Sequence, residues 1–327
     1  MSKLVTIFGG SGFVGRYIAR RLAKDGWRVR VACRRPNEAL FTRTYGAVGQ
    51  VEPIFCNIRD DGSVRAALAG ADAAVNCVGT FDAGGANNFQ AVQVAGAGRI
   101  ARLAAAGGVS TLVHISSLSA DPAALSNYSR TKAEGEAAVL AAFPKAMILR
   151  PSVIFGNEDQ FFNRFAGMSR IGPILPLVGG NTRFQPVFVE DVAQAAVLGA
   201  DGKASGIYAL GGPDAETLSH FIQQMLVVIQ RRRLVLNLPF WVGKVLANGF
   251  GFGSFLTGGL IRNSILTADQ VRSLRVDNVV PPGAKTLADL GIAPTNIGAV
   301  IPEYLWRYRP SGQYAAIKDS AKNLRKV

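Results

Sequence analysis

The sequence is poor in the residues that build disulfide frameworks and zinc sites. Its 327 residues include three cysteines (Cys33, Cys56 and Cys77) and two histidines (His114 and His220). The cysteines show no Cys-x-x-Cys motif or paired spacing, and neither histidine has a companion at metal-ligand spacing. We therefore expect no metal site, no disulfide framework and a reducing compartment.

Acidic residues are also scarce. Lysine and arginine number 36 against 22 aspartates and glutamates, which gives a formal net charge of +14. A basic excess of this size predicts an anionic partner: a nucleotide, an anionic lipid surface or an acidic protein face. Arg231–Arg233 form a basic triplet, but no recognition helix or aromatic stacking sheet accompanies them, so nucleic acid is not expected.

The sequence shows neither a targeting segment before its first apolar run nor an uninterrupted apolar run of membrane-spanning length. Met1–Lys3 lead directly into that first run, which predicts a cytoplasmic or already processed protein. Residues 234–256 are nearly long enough to span a bilayer, but they are interrupted by Asn237, Pro239, Lys244 and Asn248. We expect this stretch to lie on a membrane surface, with aromatics inserted and arginines at the headgroups. The alternative is the ordinary core of a second lobe.

What the chain does have is a glycine-rich turn close to its start. Leu4–Phe8 form an apolar run, glycines follow at 9, 12 and 15, and residues 16–24 carry apolar side chains at helical spacing. This pattern predicts a strand, a tight turn and a helix whose first N–H groups face a pyrophosphate. The expected dinucleotide contacts in this turn are Gly9, Ser11, Gly12, Phe13 and Gly15.

Two arginines end the second predicted strand, which spans residues 27–35. An NAD-specific fold would place a carboxylate here to accept from the ribose 2′-hydroxyl, but this chain has Cys33, Arg34 and Arg35. Guanidinium groups suit a 2′-phosphate, so we expect NADP(H) rather than NAD(H). The alternative is that both arginines are ordinary solvated surface residues.

Strand and helix patterns alternate through the rest of the first half. Further strands are predicted at residues 51–60, 73–80, 111–115 and 146–150, and helices at 62–69, 88–106 and 128–142. This alternation predicts a doubly wound parallel α/β sheet that is covered on both faces. The ends of its strands are expected to border the nucleotide through Asn57, Ile58, Val78, Gly79 and Pro151.

The length of the chain predicts two lobes. Residues 1–150 are expected to form the dinucleotide-binding domain, with its sheet completed by residues 183–212, including short strands at 185–189 and 206–210. Residues 151–182 and 213–310, which are richer in proline, glycine and aromatics, would form a smaller C-terminal α/β lobe. A basic tail, residues 311–327, would follow.

A serine, a tyrosine and a lysine form a candidate catalytic set. Ser116 and Ser117 end the fifth predicted strand, and Tyr128 and Lys132 are four residues apart on one helix face. A tyrosine hydroxyl titrates near ~10 in water, so acid or base chemistry near neutrality needs a cation, which Lys132 would supply. Lys132 could also donate to the nicotinamide ribose, while Ser117 would hold a substrate oxygen. The alternative is an ordinary amphipathic helix.

Together these motifs resemble the short-chain dehydrogenase/reductase superfamily in its extended or atypical branch, which has a Rossmann lobe and a smaller C-terminal lobe. Three further stretches, residues 149–163, 185–192 and 287–292, are similar to one group within it. That group is the NADPH-binding accessory subunit of respiratory complex I, the proton-pumping NADH:quinone oxidoreductase. The resemblance spans nearly the whole chain, and Arg150–Asn163 is its most specific part.

The resemblance implies that NADP(H), as tightly bound NADPH, acts structurally and supports assembly or stability near the quinone-reduction region. It implies that Gly9, Gly12 and Gly15 hold the pyrophosphate, and that Arg34 and Arg35 hold the 2′-phosphate. Tyr128 and Lys132 would hold the nicotinamide ribose, and the catalytic set would be present without an established turnover.

The expected partners are other complex I subunits and an anionic membrane surface met by the C-terminal lobe. Mitochondrial members of the group begin with a presequence, so this chain is expected to be a bacterial member, peripheral on the cytoplasmic face of the inner membrane. The alternative is a free-standing NADPH-dependent reductase or epimerase that acts on a small carbonyl or sugar-nucleotide substrate through Ser117, Tyr128 and Lys132.

Overall fold

The computed structural model describes residues 2–245 and 267–314, which divide into two compact units. Of these residues, unit 1 contains 2–152, 189–211 and 280–294, and unit 2 contains 153–188, 212–245, 267–279 and 295–314. Compared with the expected division, residues 183–188 lie in unit 2 and residues 280–294 lie in unit 1.

The strands are numbered in chain order. They are β1 (Leu4–Phe8), β2 (Arg28–Cys33), β3 (Val51–Phe55), β4 (Ala73–Asn76), β5 (Thr111–Ile115), β6 (Met147–Pro151), β7 (Ile154–Phe155), β8 (Ile174–Val178), β9 (Arg183–Phe184), β10 (Val187–Phe188), β11 (Gly206–Leu210), β12 (Glu216–Thr217) and β13 (Leu234–Leu238).

The α-helices are numbered in the same way. They are α1 (Phe13–Lys24), α2 (Asp61–Leu68), α3 (Ala97–Ala106), α4 (Asn127–Ala142), α5 (Phe162–Met168), α6 (Val189–Ala200), α7 (Leu218–Val228), α8 (Ala268–Ser273) and α9 (Ile297–Leu305). Gln90–Gly96 form a π-helix that leads directly into α3.

Unit 1 is built on a seven-stranded sheet in the order β11-β6-β5-β4-β1-β2-β3, in which every ladder is parallel. Parallel strands need crossovers; helices α1 to α4 and α6 supply five of them, and the 3-10 helix Pro36–Tyr45 joins β2 to β3. The doubly wound α/β fold expected from the sequence is therefore confirmed. The strand order reverses between β1 and β4, and a ligand crevice forms at the carboxyl ends of the strands at such a point.

The helices that border this crevice begin with different caps. Asp60 accepts a hydrogen bond from the Ser63 amide at the start of α2, at 2.6 Å, and the Ser126 side chain accepts from the Ser129 amide at the start of α4. Helix α1 begins instead at Gly12, which has no side chain to cap it, and its first turn holds no acidic residue. Its first amides are therefore free for an external anion.

One apolar core of unit 1 lies between the sheet and helices α2, α3 and α4. Its fully buried members include Phe8, Val64, Ile100 and Ile148. The segment after residue 280 joins this unit because the Lys285 carbonyl accepts a 2.7 Å hydrogen bond from the Ala209 amide on edge strand β11.

Unit 2 has its own apolar core, built from α5, α7, α9 and the strand pair β8–β13. The strand expected at 185–189 is the two-residue β10, and the expectation that it returns to the large sheet is wrong, because it pairs with β7. Residues 234–238 of the expected surface stretch form β13, while residues 246–256 and 315–327 lie outside the described residues. Among the described residues, no helix combines the length and the apolar character needed to cross a membrane.

Candidate nucleotide site in unit 1

The glycine-rich turn follows β1 and lies against the chain that leaves β4. Gly9 has a φ of +75°, and a Cβ there would lie 3.3 Å from the Val78 amide nitrogen. A Cβ on Gly15 would lie 2.4 Å from the Gly9 carbonyl oxygen, so α1 packs directly on the turn. Gly12 donates from its amide to the same oxygen at 2.9 Å. The turn therefore fits a bound pyrophosphate, since backbone amides and open space replace side chains.

Ser11 and Phe13 lie on either side of Gly12 in the chain. The Ser11 carbonyl accepts a hydrogen bond from Arg16, and Phe13 meets Tyr17 edge-on with ring centroids 6.0 Å apart. Ser11 also bonds to the Cys33 thiol, whose pKa is raised because burial outweighs that bond. The glycine turn and the end of β2 are therefore neighbours.

Two exposed arginines follow β2, as the sequence interpretation requires for a 2′-phosphate. Arg34 is exposed, and Arg35 is paired with exposed Glu38 at 3.1 Å. A surface pair of this kind contributes little stability, so Arg35 can exchange its partner for a ligand phosphate at low cost.

The ends of β3 and β4 carry the other expected contacts. The Asn57 side-chain oxygen accepts a hydrogen bond from the Arg59 backbone amide, and the Asn57 backbone amide donates to the Ser63 hydroxyl. The Ile58 carbonyl accepts from the Arg99 guanidinium. Val78 donates its amide to Asn76, and a Cβ on Gly79 would lie 3.9 Å from the Lys132 ammonium. Pro151 ends β6 and its carbonyl accepts from the Leu118 amide at 2.9 Å. These residues lie at or just beyond the carboxyl ends of three parallel strands of the same sheet.

Tyr128 and Lys132 lie on α4 beside the end of β5. The hydroxyl of Tyr128 is hydrogen-bonded to Ser117, yet burial dominates and raises the pKa of Tyr128 to about 12. The Lys132 ammonium lies 6.0 Å from the centroid of the Tyr128 ring and donates to the Ile115 carbonyl at 3.1 Å. The structure thus brings the serine, tyrosine and lysine together, but it does not show the lowered tyrosine pKa that the sequence interpretation expected from Lys132.

Lys132 is itself perturbed. Its side chain is only 5% exposed, and burial lowers its pKa to about 8, although the charge of Glu136 and the Cys77 thiol oppose that shift. A cation so deeply buried without a carboxylate bonded to it suits an electroneutral or anionic ligand that offers oxygen acceptors. The hydroxyls of a nucleotide ribose are such acceptors.

Several residues of this site were missed by the sequence interpretation. Phe81 stacks on Tyr128, Glu136 is bonded to Ser116 and Arg150, and His114 is bonded to Asn76. Glu136 had a usable signal, because it follows Lys132 by four residues on the same helix face. The others depend on contacts between distant parts of the chain.

The tautomer of His114 follows from its neighbours. The side-chain oxygen Oδ1 of Asn76 accepts a hydrogen bond from the Val78 backbone amide. The side-chain nitrogen Nδ2 of Asn76 must therefore donate to Nδ1 of His114, at 3.0 Å. Burial lowers the pKa of His114 to about 3, so the ring is neutral and its proton lies on Nε2. That atom has no hydrogen-bond partner in the part of the chain that the structure describes. His220, in unit 2, is bonded to Gln224.

Metal binding has no support at this site. Within residues 2–245 and 267–314, no group of three or more histidine, cysteine, aspartate or glutamate side chains could hold an ion.

Known proteins resemble this chain in sequence and in fold. Residues 5–211 match the NAD dependent epimerase/dehydratase family. The chain is 34% identical over 316 residues to NADH dehydrogenase (ubiquinone) 1 alpha subcomplex subunit 9, mitochondrial, of Arabidopsis thaliana, which covers 94% of this chain and 79% of that protein. It is also 34% identical over 238 residues to the ceramide reductase of Caulobacter vibrioides, covering 72% of this chain and 74% of that one.

A solved structure shows the same fold. The crystal structure of gox2253 matches with a TM-score of 0.69 at 19% identity and covers 95% of this chain and 99% of that one. At this identity the likeness concerns the fold alone.

Proposed function

This chain belongs to the NAD dependent epimerase/dehydratase family, and we propose that it is an accessory subunit of respiratory complex I, the proton-pumping NADH:quinone oxidoreductase. The observation that carries the proposal is the 34% identity to alpha subcomplex subunit 9 of Arabidopsis thaliana, because it extends over 94% of this chain. A likeness that includes both units concerns more than a shared nucleotide-binding domain.

In this role the chain binds NADP(H) as a structural ligand. Gly9, Gly12 and Gly15 leave room for the pyrophosphate at the uncapped start of α1, and Arg34 and Arg35 meet the 2′-phosphate. Tyr128 and Lys132 hold the nicotinamide ribose. Tight binding would stabilise unit 1 by mass action, since a ligand that binds only the folded state opposes unfolding.

The test of subunit membership is co-migration. Membranes of the source cell are extracted with a gentle detergent and separated on a native gel, and each band is analysed by mass spectrometry. We expect the chain in the band that oxidises NADH and reduces quinone. Recovery only as a small soluble species would contradict the proposal.

A second candidate function is an NADPH-dependent reductase. It is favoured by the identity to the ceramide reductase of Caulobacter vibrioides and by the bond between Ser117 and Tyr128. When bound, NADPH would supply a hydride for a carbonyl carbon. Ser117 would donate a hydrogen bond to the carbonyl oxygen, and Tyr128 would transfer its hydroxyl proton to that oxygen. Tyr128 would then regain a proton by way of Lys132.

Substitution of the tyrosine separates the two functions. In a reductase, Tyr128→Phe should abolish carbonyl turnover, because no acid is left at the substrate oxygen. In a subunit with a structural nucleotide, the same change should leave the NADH:quinone activity of the assembled complex nearly unchanged.

We further propose that unit 2 meets an anionic membrane surface, which would place the chain peripherally on the cytoplasmic face. Strands β8 and β13 pair side by side, and Ile174, Leu234 and Leu236 are 50%, 63% and 46% exposed. Nearby Ile171 is 89% exposed. Exposed apolar side chains grouped in this way are typical of an interaction surface.

Arginines border this apolar surface. Arg233 donates to the Ser169 carbonyl, and burial together with neighbouring Arg233 and Arg170 lowers the pKa of Arg231. Clustered guanidiniums beside exposed apolar side chains suit a membrane interface that carries negative headgroups.

Vesicle sedimentation tests this surface. The chain should sediment with phosphatidylcholine vesicles that contain phosphatidylglycerol and not with phosphatidylcholine alone. Ile171→Ser with Leu234→Ser should reduce sedimentation, whereas Val48→Ser, at a still more exposed apolar residue of unit 1, should not. Equal sedimentation of all three proteins would contradict the proposal.

A further inference from the structure

Glu136 is a buried carboxylate at the centre of a hydrogen-bond network that the proposed function leaves unexplained. Its side chain lies one helical turn after Lys132 on α4, and the residue is 4% exposed. The Ser116 hydroxyl donates to Oε1 of Glu136. Arg150 donates from Nε to both carboxylate oxygens, at 2.9 and 3.1 Å, and from Nη2 to Oε2.

This network joins three elements beside the nucleotide site. Ser116 directly follows β5, Arg150 lies on β6, and Glu136 lies on α4. Lys132 reaches the same strand end, because its ammonium donates to the Ile115 carbonyl, one residue before Ser116. The two α4 side chains therefore hold consecutive residues at the end of β5, which fixes where the Lys132 ammonium lies.

The charges around Lys132 make Glu136 the main group that favours its protonated form. Three titratable groups surround Lys132: Glu136 on the same helix, the Cys77 thiol just after β4, and His114 on β5. Burial raises the pKa of Cys77 to about 12, so the thiol is neutral at pH 7, and His114 is neutral as well. The Tyr128 hydroxyl is also protonated. Near neutral pH, Glu136 is therefore the one negative charge among these neighbours.

Arg150 weakens the electrostatic effect of the Glu136 carboxylate on Lys132 without cancelling it. The Arg150 side chain is 32% exposed, and its guanidinium meets water on one side, whereas the Glu136 side chain is 5% exposed. A charge that faces water is screened more strongly than one that does not. Glu136 thus acts on Lys132 through a medium of lower dielectric than Arg150 does.

We infer that Glu136 is a positioning residue for the nucleotide site: through Ser116 and Arg150 it fixes the end of β5 against α4, and its carboxylate keeps a positive charge on Lys132. The inference rests on the proposed binding of NADP(H), because the charged ammonium is what would donate to the nicotinamide ribose.

The first test needs no nucleotide. The full chain is labelled with ¹³Cε-lysine, Lys132 is assigned with Lys132→Met, and its titration is followed by NMR in the wild type and in Glu136→Gln. The midpoint should lie near 8 in the wild type. It should fall by about one pH unit in Glu136→Gln, because an opposite charge is lost. Glu134→Gln, an exposed glutamate on the same helix, is the matched control and should leave the midpoint unchanged.

The second test measures NADPH affinity against pH by isothermal titration calorimetry. With the midpoint lowered by one unit, Glu136→Gln should bind about fivefold more weakly at pH 8 and almost normally at pH 6. Glu136→Asp keeps the charge and should restore most of the affinity at pH 8. A purely structural role would instead weaken binding equally at both pH values.

A folding failure is handled by a double variant. Glu136→Gln alone leaves the Arg150 guanidinium half-buried and unpaired, whereas Glu136→Gln with Arg150→Gln removes both charges. The double variant should also show a lowered Lys132 midpoint. An unchanged midpoint in a folded variant overturns the inference. If the wild type does not bind NADPH but the midpoint falls, nucleotide binding fails and the effect of Glu136 on Lys132 stands.

Discussion

Phe81 stacks on Tyr128, with ring centroids 5.1 Å apart and ring planes inclined by 13°. Phe89 meets the same tyrosine edge-on, at 6.1 Å between centroids. Because Phe81 is 68% exposed, the stack forms the outer wall of this part of the site. A ring in that position shields the tyrosine from water and contributes to its raised pKa.

Removal of the Phe81 ring should therefore make Tyr128 easier to ionise. In Phe81→Ala we expect the pKa of Tyr128 to fall from about 12 toward the usual value near ~10. The midpoint is read from phenolate absorbance, with Phe81→Ala plus Tyr128→Phe subtracted. Phe55→Ala removes another exposed ring, 62% exposed, and serves as the control. Equal midpoints in Phe81→Ala and the wild type would show that the stack does not shield the hydroxyl.

The glycines of the turn should separate stability from binding. A Cβ on Gly15 meets the Gly9 carbonyl oxygen at 2.4 Å, so Gly15→Ala should lower the free energy of unfolding by about 1–3 kcal/mol through overpacking. Gly84→Ala, where no atom lies within 4 Å of the added Cβ, should be nearly neutral. Thermal denaturation without nucleotide compares the two. Equal melting temperatures would contradict the close packing of α1 on the turn.

Gly12→Asp should remove nucleotide binding without a large loss of stability, unlike Gly15→Ala. Gly12 has extended backbone angles that suit an N-cap aspartate, which gains only about a few tenths of a kcal/mol over glycine, and the added Cβ would lie 3.2 Å from the Gly9 carbonyl oxygen. The nucleotide-free protein should therefore keep its stability to within about 0.5 kcal/mol. The new carboxylate would repel the pyrophosphate, and stabilisation by NADPH should disappear. The measurement is the shift in melting temperature on adding NADPH. A shift as large as that of the wild type would place the pyrophosphate elsewhere.

Lys132→Met should stabilise the nucleotide-free protein while removing nucleotide binding. The pKa of Lys132 lies near 8 in the folded chain and near 10.5 in the unfolded chain. Below pH 8 the buried positive charge therefore lowers the free energy of unfolding. The variant should gain about 1–3 kcal/mol there, less what the lost bond to Ile115 contributes.

The sign of the pH dependence provides the check. Between pH 8 and 10.5 the unfolded chain retains the Lys132 proton that the folded chain has lost, so wild-type stability gains on the variant as pH rises. The thiol of Cys77 acts in the other direction in both proteins, so the difference between them isolates Lys132. Urea denaturation at pH 7, 8, 9 and 10 measures it. A difference that does not shrink with pH would contradict the burial of a charged Lys132.

The two arginines after β2 should discriminate between nucleotides. Arg34→Ser with Arg35→Ser should weaken NADPH binding by about 10–100-fold, because charge-assisted bonds to a phosphate are lost, and should leave NADH binding unchanged. Arg28→Ser with Arg65→Ser, at two other exposed arginines, removes the same net charge and is the control. Affinities are compared by calorimetry at one salt concentration. A similar loss of affinity for NADPH and NADH would contradict a contact with the 2′-phosphate and indicate a general effect of net charge.

Local patterns were sufficient to predict the large sheet. Thr111–Ile115 match β5, because a short apolar run bounded by turn residues is typical of a strand buried in a parallel sheet. The pattern around residue 187 failed, because a two-residue strand carries too little periodicity to choose its partner, and β7 was not recognised as a strand.

The site was only partly accessible to sequence reasoning for a similar reason. Motif spacing suggested Ser117, Tyr128 and Lys132, whose order along the chain follows the alternation of strands and helices. Phe81 reaches the site from the segment after β4 and Arg150 from β6, and nothing in the local sequence ties them to α4. The electrostatic outcome also differed, because the desolvation of Tyr128 exceeds any benefit from Lys132.

Gln93, in the π-helix, uses both ends of its buried side chain. Its Nε2 donates to the Thr80 carbonyl at 2.9 Å and its Oε1 accepts from the Thr131 hydroxyl at 2.8 Å. A Cβ on Gly135 would lie 2.1 Å from the Gln93 carbonyl oxygen, so the backbone cannot shift to accommodate another side chain. Glutamate would face the Thr80 carbonyl with a second acceptor, and asparagine would be one methylene too short. A variant that leaves these buried groups unpaired should lose about 1–3 kcal/mol of stability. In a saturation library selected for folding, position 93 should therefore be strongly enriched in glutamine, which marks it as a point of low mutational tolerance outside the nucleotide contacts.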